Sequence, residues 1–183
     1  MYTRKGIAGS NPALSAKNNP ALKNKLSLDN SLLLLILLVA AILRFWNYPN
    51  MPFMHDELSG LSRTHYSSVH DVLLYGVAKY DTHPAGVELF IYYWIKLFGE
   101  NEMVLKLPFI ICGLLSIIVA FKISKFWFNS SVALIIAAFM AVLQYMVTFG
   151  QIERPYVSGL FFCLLMVWYW SNYFRSFCFI QSP

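Results

Sequence analysis

The stretch HPAGVELFIYYWIKLF, His83 to Phe98, decides how this chain is folded across a membrane. On a helical wheel Glu88, Tyr92 and Lys96 fall in one i, i+4, i+8 stripe, and Val87, Phe90, Ile91, Trp94, Leu97 and Phe98 fall opposite. That division predicts a helix over about 84–98 lying in the membrane interface, not crossing it. Outward from it, Met103–Phe121, Phe126–Ile152 and Pro155–Phe174 are apolar and long enough to span; the first carries only Lys106 near its start, with Pro108 in its early turns. Upstream, Leu32–Leu43 is an apolar run that becomes a workable span on extension to Tyr48. Arg44 would then snorkel outward, and Trp46 and Tyr48 would lie in the aromatic belt. The bulky Ile42-Leu43-Arg44-Phe45-Trp46 offers no small-residue cleavage site, so an uncleaved anchor is the better reading than a signal peptide.

With 83–98 lying flat, spans at about 32–48, 103–121, 130–150 and 155–174 bring the basic tail 1–31, the Lys122–Lys125 turn and Arg175 to one side, as the positive-inside rule asks. If 83–98 crossed, Lys122 and Lys125 would fall on the other side. The predicted architecture is therefore all-α and polytopic, with about four transmembrane helices. The N-terminus is cytoplasmic, and an external loop over 49–102 carries interfacial helices at about 57–75 and 84–98. A short tail, 176–183, follows. The segment around Asp56 and the loop Gln151-Ile152-Glu153-Arg154 then face one non-cytoplasmic compartment.

Composition agrees. The 183 residues are 58% hydrophobic and 17% aromatic but only 13% charged, about half the charged fraction of soluble domains. A chain of this size cannot bury so much apolar surface in a water-soluble core. Disorder, a disulfide scaffold and a nucleic-acid-binding module are excluded as leading classes, and the lipid bilayer is the first partner. Cys112, Cys163 and Cys178 lie in or beside apolar runs without metal-ligand spacing.

The adjacent carboxylates Asp56 and Glu57, just beyond the first span, suit a general base that takes a proton from a hydroxyl. The plainer reading is helix capping by Asp56, with Glu57 at the positive helix end. His83, in Asp81-Thr82-His83-Pro84, could donate to a phosphate or substrate oxygen. Arg154, in Gln151-Ile152-Glu153-Arg154-Pro155-Tyr156, suits a lipid-linked phosphate because its fork meets two phosphate oxygens. Its plainer reading is an interfacial anchor. No cofactor follows from these residues. A divalent metal on some subset of His55, Asp56, His65, His70, Asp71 and His83 stays open, although no metal-binding spacing is present.

The ordered series Arg44, Asp56-Glu57, His83-Pro84, Tyr92-Tyr93-Trp94, Phe98-Gly99-Glu100, Lys106-Leu107-Pro108, Lys122–Phe128, Gln151, Arg154 and Tyr156 resembles the N-terminal part of membrane glycosyltransferases of the C-type fold. This superfamily includes protein O-mannosyltransferases and the aminoarabinose transferase of lipid A. Ala85 replaces a proline frequent in the family, and Gln-Ile-Glu-Arg stands where Gln-Glu-Ala-Arg is usual, displacing Glu153 by one position. The resemblance implies transfer of a sugar from a polyprenyl-phosphate donor to an acceptor hydroxyl of a lipid, glycan or protein, in the plasma (inner) membrane with the site outside. Asp56 would be catalytic with Glu57 supporting it, while His83, Arg154, Gln151 and Tyr156 would bind substrate. Because such enzymes carry further membrane helices, the chain reads as an N-terminal fragment that is inactive alone. The alternative is a small non-catalytic polytopic protein, such as an assembly subunit or a piece of a transporter.

Overall fold

The computed structural model describes residues 20–46, 48–79 and 85–181, and among them every regular element is helical. Helix α1 is Pro20–Phe45, α2 is His55–Ser62 and α3 is Val69–Asp71, which runs on as a π-helical turn at Val72–Ala78. Then come α4 (Gly86–Phe98), α5 (Glu102–Trp127), α6 (Ser130–Val142), α7 (Gln144–Gly150) and α8 (Pro155–Gln181). By length and hydropathy three helices can cross a membrane, at Leu28–Phe45, Glu102–Trp127 and Pro155–Ser176, and α6 with α7 forms a fourth, bent span. The protein is an all-α polytopic membrane protein.

Small side chains let the bundle close. Ala133, Ala137 and Ala141 recur every fourth residue along α6, so one stripe of that helix approaches Ala40, Ile117 and Phe121 closely. Helix ends carry sequence-legible caps. Asn101 and Asn129 accept from the amides of Met103 and Val132 at 2.9 and 3.0 Å. Gly99, at φ 84° and ψ 174°, takes a positive-φ extended conformation open to glycine, which stops α4 and turns the chain into α5.

Two groups of contacts fix the ends of the bundle. Lys125 pairs with Asp29 at 3.1 Å, and Arg175 lies over the Phe126 ring at 4.7 Å, so the basic residues gather at one end. The pairs Asp56–Arg154 and Glu57–Lys106 lie at the other. The polar contacts of α4 include Glu88 with Arg154, Tyr92 with the Ser67 carbonyl and Trp94 with the Val104 carbonyl, which tie it to that second end. Thirteen residues rise about 20 Å, short of a hydrocarbon core of about 30 Å.

The structure corrects four details. The helix expected over 57–75 is divided by a turn at Arg63–Thr64, where the Thr64 hydroxyl bonds to the Leu61 carbonyl at 2.8 Å and competes with helix continuation. The span expected at 130–150 bends by 58° between α6 and α7. Arg44 does not snorkel; it is turned inward at 1% exposure, for a reason given below. Glu88 and Tyr92 of the polar stripe face the protein while Lys96 is exposed; on the apolar side Ile91 is buried with Leu61, Leu105 and Phe109, and Phe90, Leu97 and Phe98 are exposed, so α4 buries part of each side.

The junction of α4 with α5 has a specific chemical cause. Pro108 has no amide hydrogen, which deprives the Val104 carbonyl of its helical partner. The Trp94 indole fills that role, donating to Val104 at 3.0 Å. Replacing Trp94 by Phe should lower stability by about 1–3 kcal/mol, because the carbonyl is left without a partner. In a Pro108→Ala background, which restores the helical amide, the same replacement should cost measurably less. Thermal unfolding of the four proteins in one detergent checks this.

Candidate active site

The site grows from two short connections brought to one end of the bundle. The first is the start of α2. Met54 occupies the N-cap, and Glu57, three residues on, accepts from the Met54 amide at 2.8 Å, closing a capping box. The cap that Asp56 might have provided is therefore supplied by its neighbour. Asp56 projects from the first turn and keeps 52% of its side chain exposed.

The second connection is Gln151–Arg154, between α7 and α8. The Arg154 guanidinium is buried, with 4% of the side chain exposed, and grips Asp56 with two hydrogen bonds. Its Nε donates to one carboxylate oxygen at 2.7 Å and its Nη2 donates to the other. This fork-to-fork pair is the strongest geometry available to the two residue types. Asp56 in turn holds Arg154 more firmly protonated. Glu88 of α4 approaches the remaining guanidinium nitrogen at 3.9 Å. The space over Arg154 is tight: a methyl on Gly60 would meet Nη1 at 3.1 Å.

Glu57 points the other way. Its second oxygen accepts from the Glu153 amide at 2.8 Å, and Lys106 of α5 stands 3.6 Å from the first. Lys106 also donates to the carbonyls of Met51 and Pro52 at 3.0 and 3.2 Å. Glu57 thus clamps α2, α5 and the 151–154 segment together beneath the pair. Gln151 is likewise occupied, its amide donating to the Arg44 carbonyl at 2.7 Å. Tyr156 is partly exposed, its ring set edge-on to Phe149 at 5.0 Å. His83 lies outside the described residues.

Glu153 is the residue that the sequence did not single out for this role. It is 1% exposed, and neither carboxylate oxygen has a hydrogen-bond partner. Burial first, and the neighbouring Glu57 second, push its carboxyl up to about 8. At neutral pH it is therefore predominantly protonated, which relieves part of the negative charge gathered by Asp56, Glu57 and Glu88. Among the described residues no group of three or more His, Cys, Asp and Glu could hold a metal ion.

Beside the charged cluster lies an apolar cavity of about 390 Å³ between α4, α5 and α8. Its lining includes Val87, Phe90, Phe109, Pro155, Gly159 and Phe162. Val87 precedes Glu88 and Pro155 follows Arg154, so the cavity lining includes sequence neighbours of the ion network but none of its charged residues. A size of about 300–1,000 Å³ is usual for ligand pockets.

Comparison with protein families matches residues 82–176, just over half of the chain, to the family described as dolichyl-phosphate-mannose-protein mannosyltransferase. The chain belongs to that family. No curated protein and no solved structure matches it. The mannosyltransferase match takes in Glu88, Lys106, Gln151, Glu153, Arg154 and Tyr156 but begins beyond Asp56 and Glu57. The ion pair with Arg154 joins that upstream segment to the matched region.

The high Glu153 value has a consequence with a definite sign. The folded protein binds this proton more tightly than the unfolded chain. The associated stability is complete below about 4.5 and is lost as pH rises through about 8. Melting temperature should fall across that window in the wild type, and Glu153→Gln should flatten this part of the profile; parallel profiles for the two proteins would contradict it.

Proposed function

We propose that this mannosyltransferase-family protein transfers a sugar from a polyprenyl-phosphate donor to an acceptor hydroxyl at the non-cytoplasmic membrane surface. The observation that carries the reading is the half-exposed Asp56 held by a buried Arg154, the residue that precedes Pro155 of the apolar cavity. Asp56 is the accessible carboxylate of the cluster, which suits a general base; Glu57 and Gln151 support it by holding its frame. Tyr156 is proposed to line the substrate path, and His83 is proposed to bind substrate. The gathering of Lys122, Lys125 and Arg175 at the opposite end favours that end as the cytoplasmic one.

In this reaction the acceptor hydroxyl loses its proton to Asp56 while its oxygen bonds to the anomeric carbon. The bond from that carbon to the phosphate oxygen breaks, and its electron pair leaves with the polyprenyl phosphate. Arg154 takes one lone pair on each Asp56 oxygen, and its departure would leave the carboxylate's charge unshared and available to the proton. A donor phosphate offers the guanidinium an equivalent pair of oxygens. Exchange of partners by Arg154 would then bind the donor and free the base in one movement, with the lipid chain following the apolar wall between α4, α5 and α8.

Asp56→Asn preserves size and one hydrogen-bond acceptor but removes the base. Transfer of sugar from polyprenyl phosphate, assayed in membranes carrying the longest natural version of the chain at wild-type abundance, should fall by about 10²–10⁴-fold. Undiminished transfer would make Asp56 a structural staple and favour a non-catalytic role for this end of the bundle.

A further inference from the structure

Arg44 carries more than its position at the end of a span requires. Leu143, at φ −60° and ψ 121°, leaves helical geometry and separates α6 from α7. The carbonyls of Met140 and Ala141 thereby lose the amides that a continuous helix would supply. Arg44 meets both: Nη2 donates to Met140 and Nη1 to Ala141, each at 3.1 Å. The same guanidinium donates to Ala40 in its own helix at 3.2 Å and reaches the Met146 carbonyl of α7 at 3.4 Å. It therefore bonds on both sides of the bend as well as to α1. A cation here also faces the negative end of α6. From the backbone of the same residue, the Arg44 carbonyl holds the Gln151 side chain at 2.7 Å.

Two glycines make room for this arrangement. A methyl on Gly113 would lie 3.4 Å from Arg44 Nε and 3.3 Å from a Val157 methyl; one on Gly150 would lie 3.5 Å from Nε. α5 and α7 thus close over the guanidinium from two directions. Arg44 touches none of the proposed reacting groups. It does hold α7, and α7 leads into Gln151–Arg154.

We propose that Arg44 is a positioning residue: by bridging the carbonyls across the α6–α7 bend and tethering Gln151, it sets the angle at which Arg154 is presented to Asp56. The inference rests on the reading of the Asp56–Arg154 end as the site, but its geometry can be tested without any assay of transfer. Lysine would keep the charge, yet its single ammonium lacks the planar fork needed to span both sides of the bend. Charge alone is therefore insufficient.

The test is a spin-label distance between α2 and α7 in the full 183-residue chain. Labels attach through Leu58→Cys and Tyr145→Cys, both exposed positions, with Cys112, Cys163 and Cys178 changed to Ser. Arg44→Gln should broaden the distance distribution and shift its mean by a few ångström. Arg44→Lys should shift it less but not restore the wild-type width. Gln151→Leu cuts only the tether to the Arg44 carbonyl and should broaden the distribution more mildly; it decides the matter if Arg44→Gln does not fold. Wild-type distributions in the folded variants, or full rescue by Lys, would overturn the proposal. Loss of transfer in Asp56→Asn has no bearing on these distances, so failure of the catalytic reading and failure of the positioning role are separately visible.

Discussion

A guanidinium buried at the end of a membrane bundle must be matched by carboxylates or carbonyl oxygens, because an isolated cation there would cost several kcal/mol. Arg154 meets that constraint through Asp56, and much of the outer end of the molecule follows from the pair. It requires the loop after α1 and the loop before α8 to share one end. It places α2 over the start of α8 and draws Glu88 inward on α4. Beneath it, Glu57 and Lys106 form a second, almost wholly enclosed pair that fixes the height of α2 against α5. The accessible carboxylate stands on a rigid base, as a functional group must if its geometry is to be held.

The helices obey the same economy of polar satisfaction at their irregular points. Proline frees the Val104 carbonyl, and Trp94 takes it. The bend at Leu143 frees the carbonyls of Met140 and Ala141, and Arg44 takes them. In a hydrocarbon surrounding, non-helical backbone persists only where such partners are supplied by the protein. Each irregularity also joins the chain to another element, so local backbone needs become tertiary contacts. The bend in the third span is thereby connected to the placement of the site.

Much of this was legible in the sequence. Long uncharged runs identify spans because few other structures tolerate them, and the asymmetric Lys and Arg residues give the parity that puts Asp56 and Arg154 together. The period of α4 was legible too, but not its direction. A polar stripe reads as a water-facing side, whereas here Glu88 and Tyr92 turn into the protein beside Ile91 of the apolar side, and only Lys96 of the stripe stays exposed. Arg44 was misread for a related reason. An arginine at a helix end can snorkel or turn inward, and the choice depended on a helix break at Ala141-Val142-Leu143-Gln144 that no glycine or proline announces. Glu57 looked like a partner for Asp56 in chemistry, but adjacent residues on a helix do not face each other, and its side chain became the clamp. Glu153 gave only one signal, its place beside Arg154.

The contact between Asp56 and Arg154 can be measured directly as a coupling energy. Asp56→Ala, Arg154→Ala and the double replacement form a thermodynamic cycle, read by equilibrium unfolding in a single detergent at neutral pH. Two side chains joined by a bidentate pair should show a coupling of about 0.5–3 kcal/mol, with the double variant less destabilised than the sum of the single ones. Strictly additive losses would mean that the two residues do not meet, and the account of this end of the molecule would fail with them.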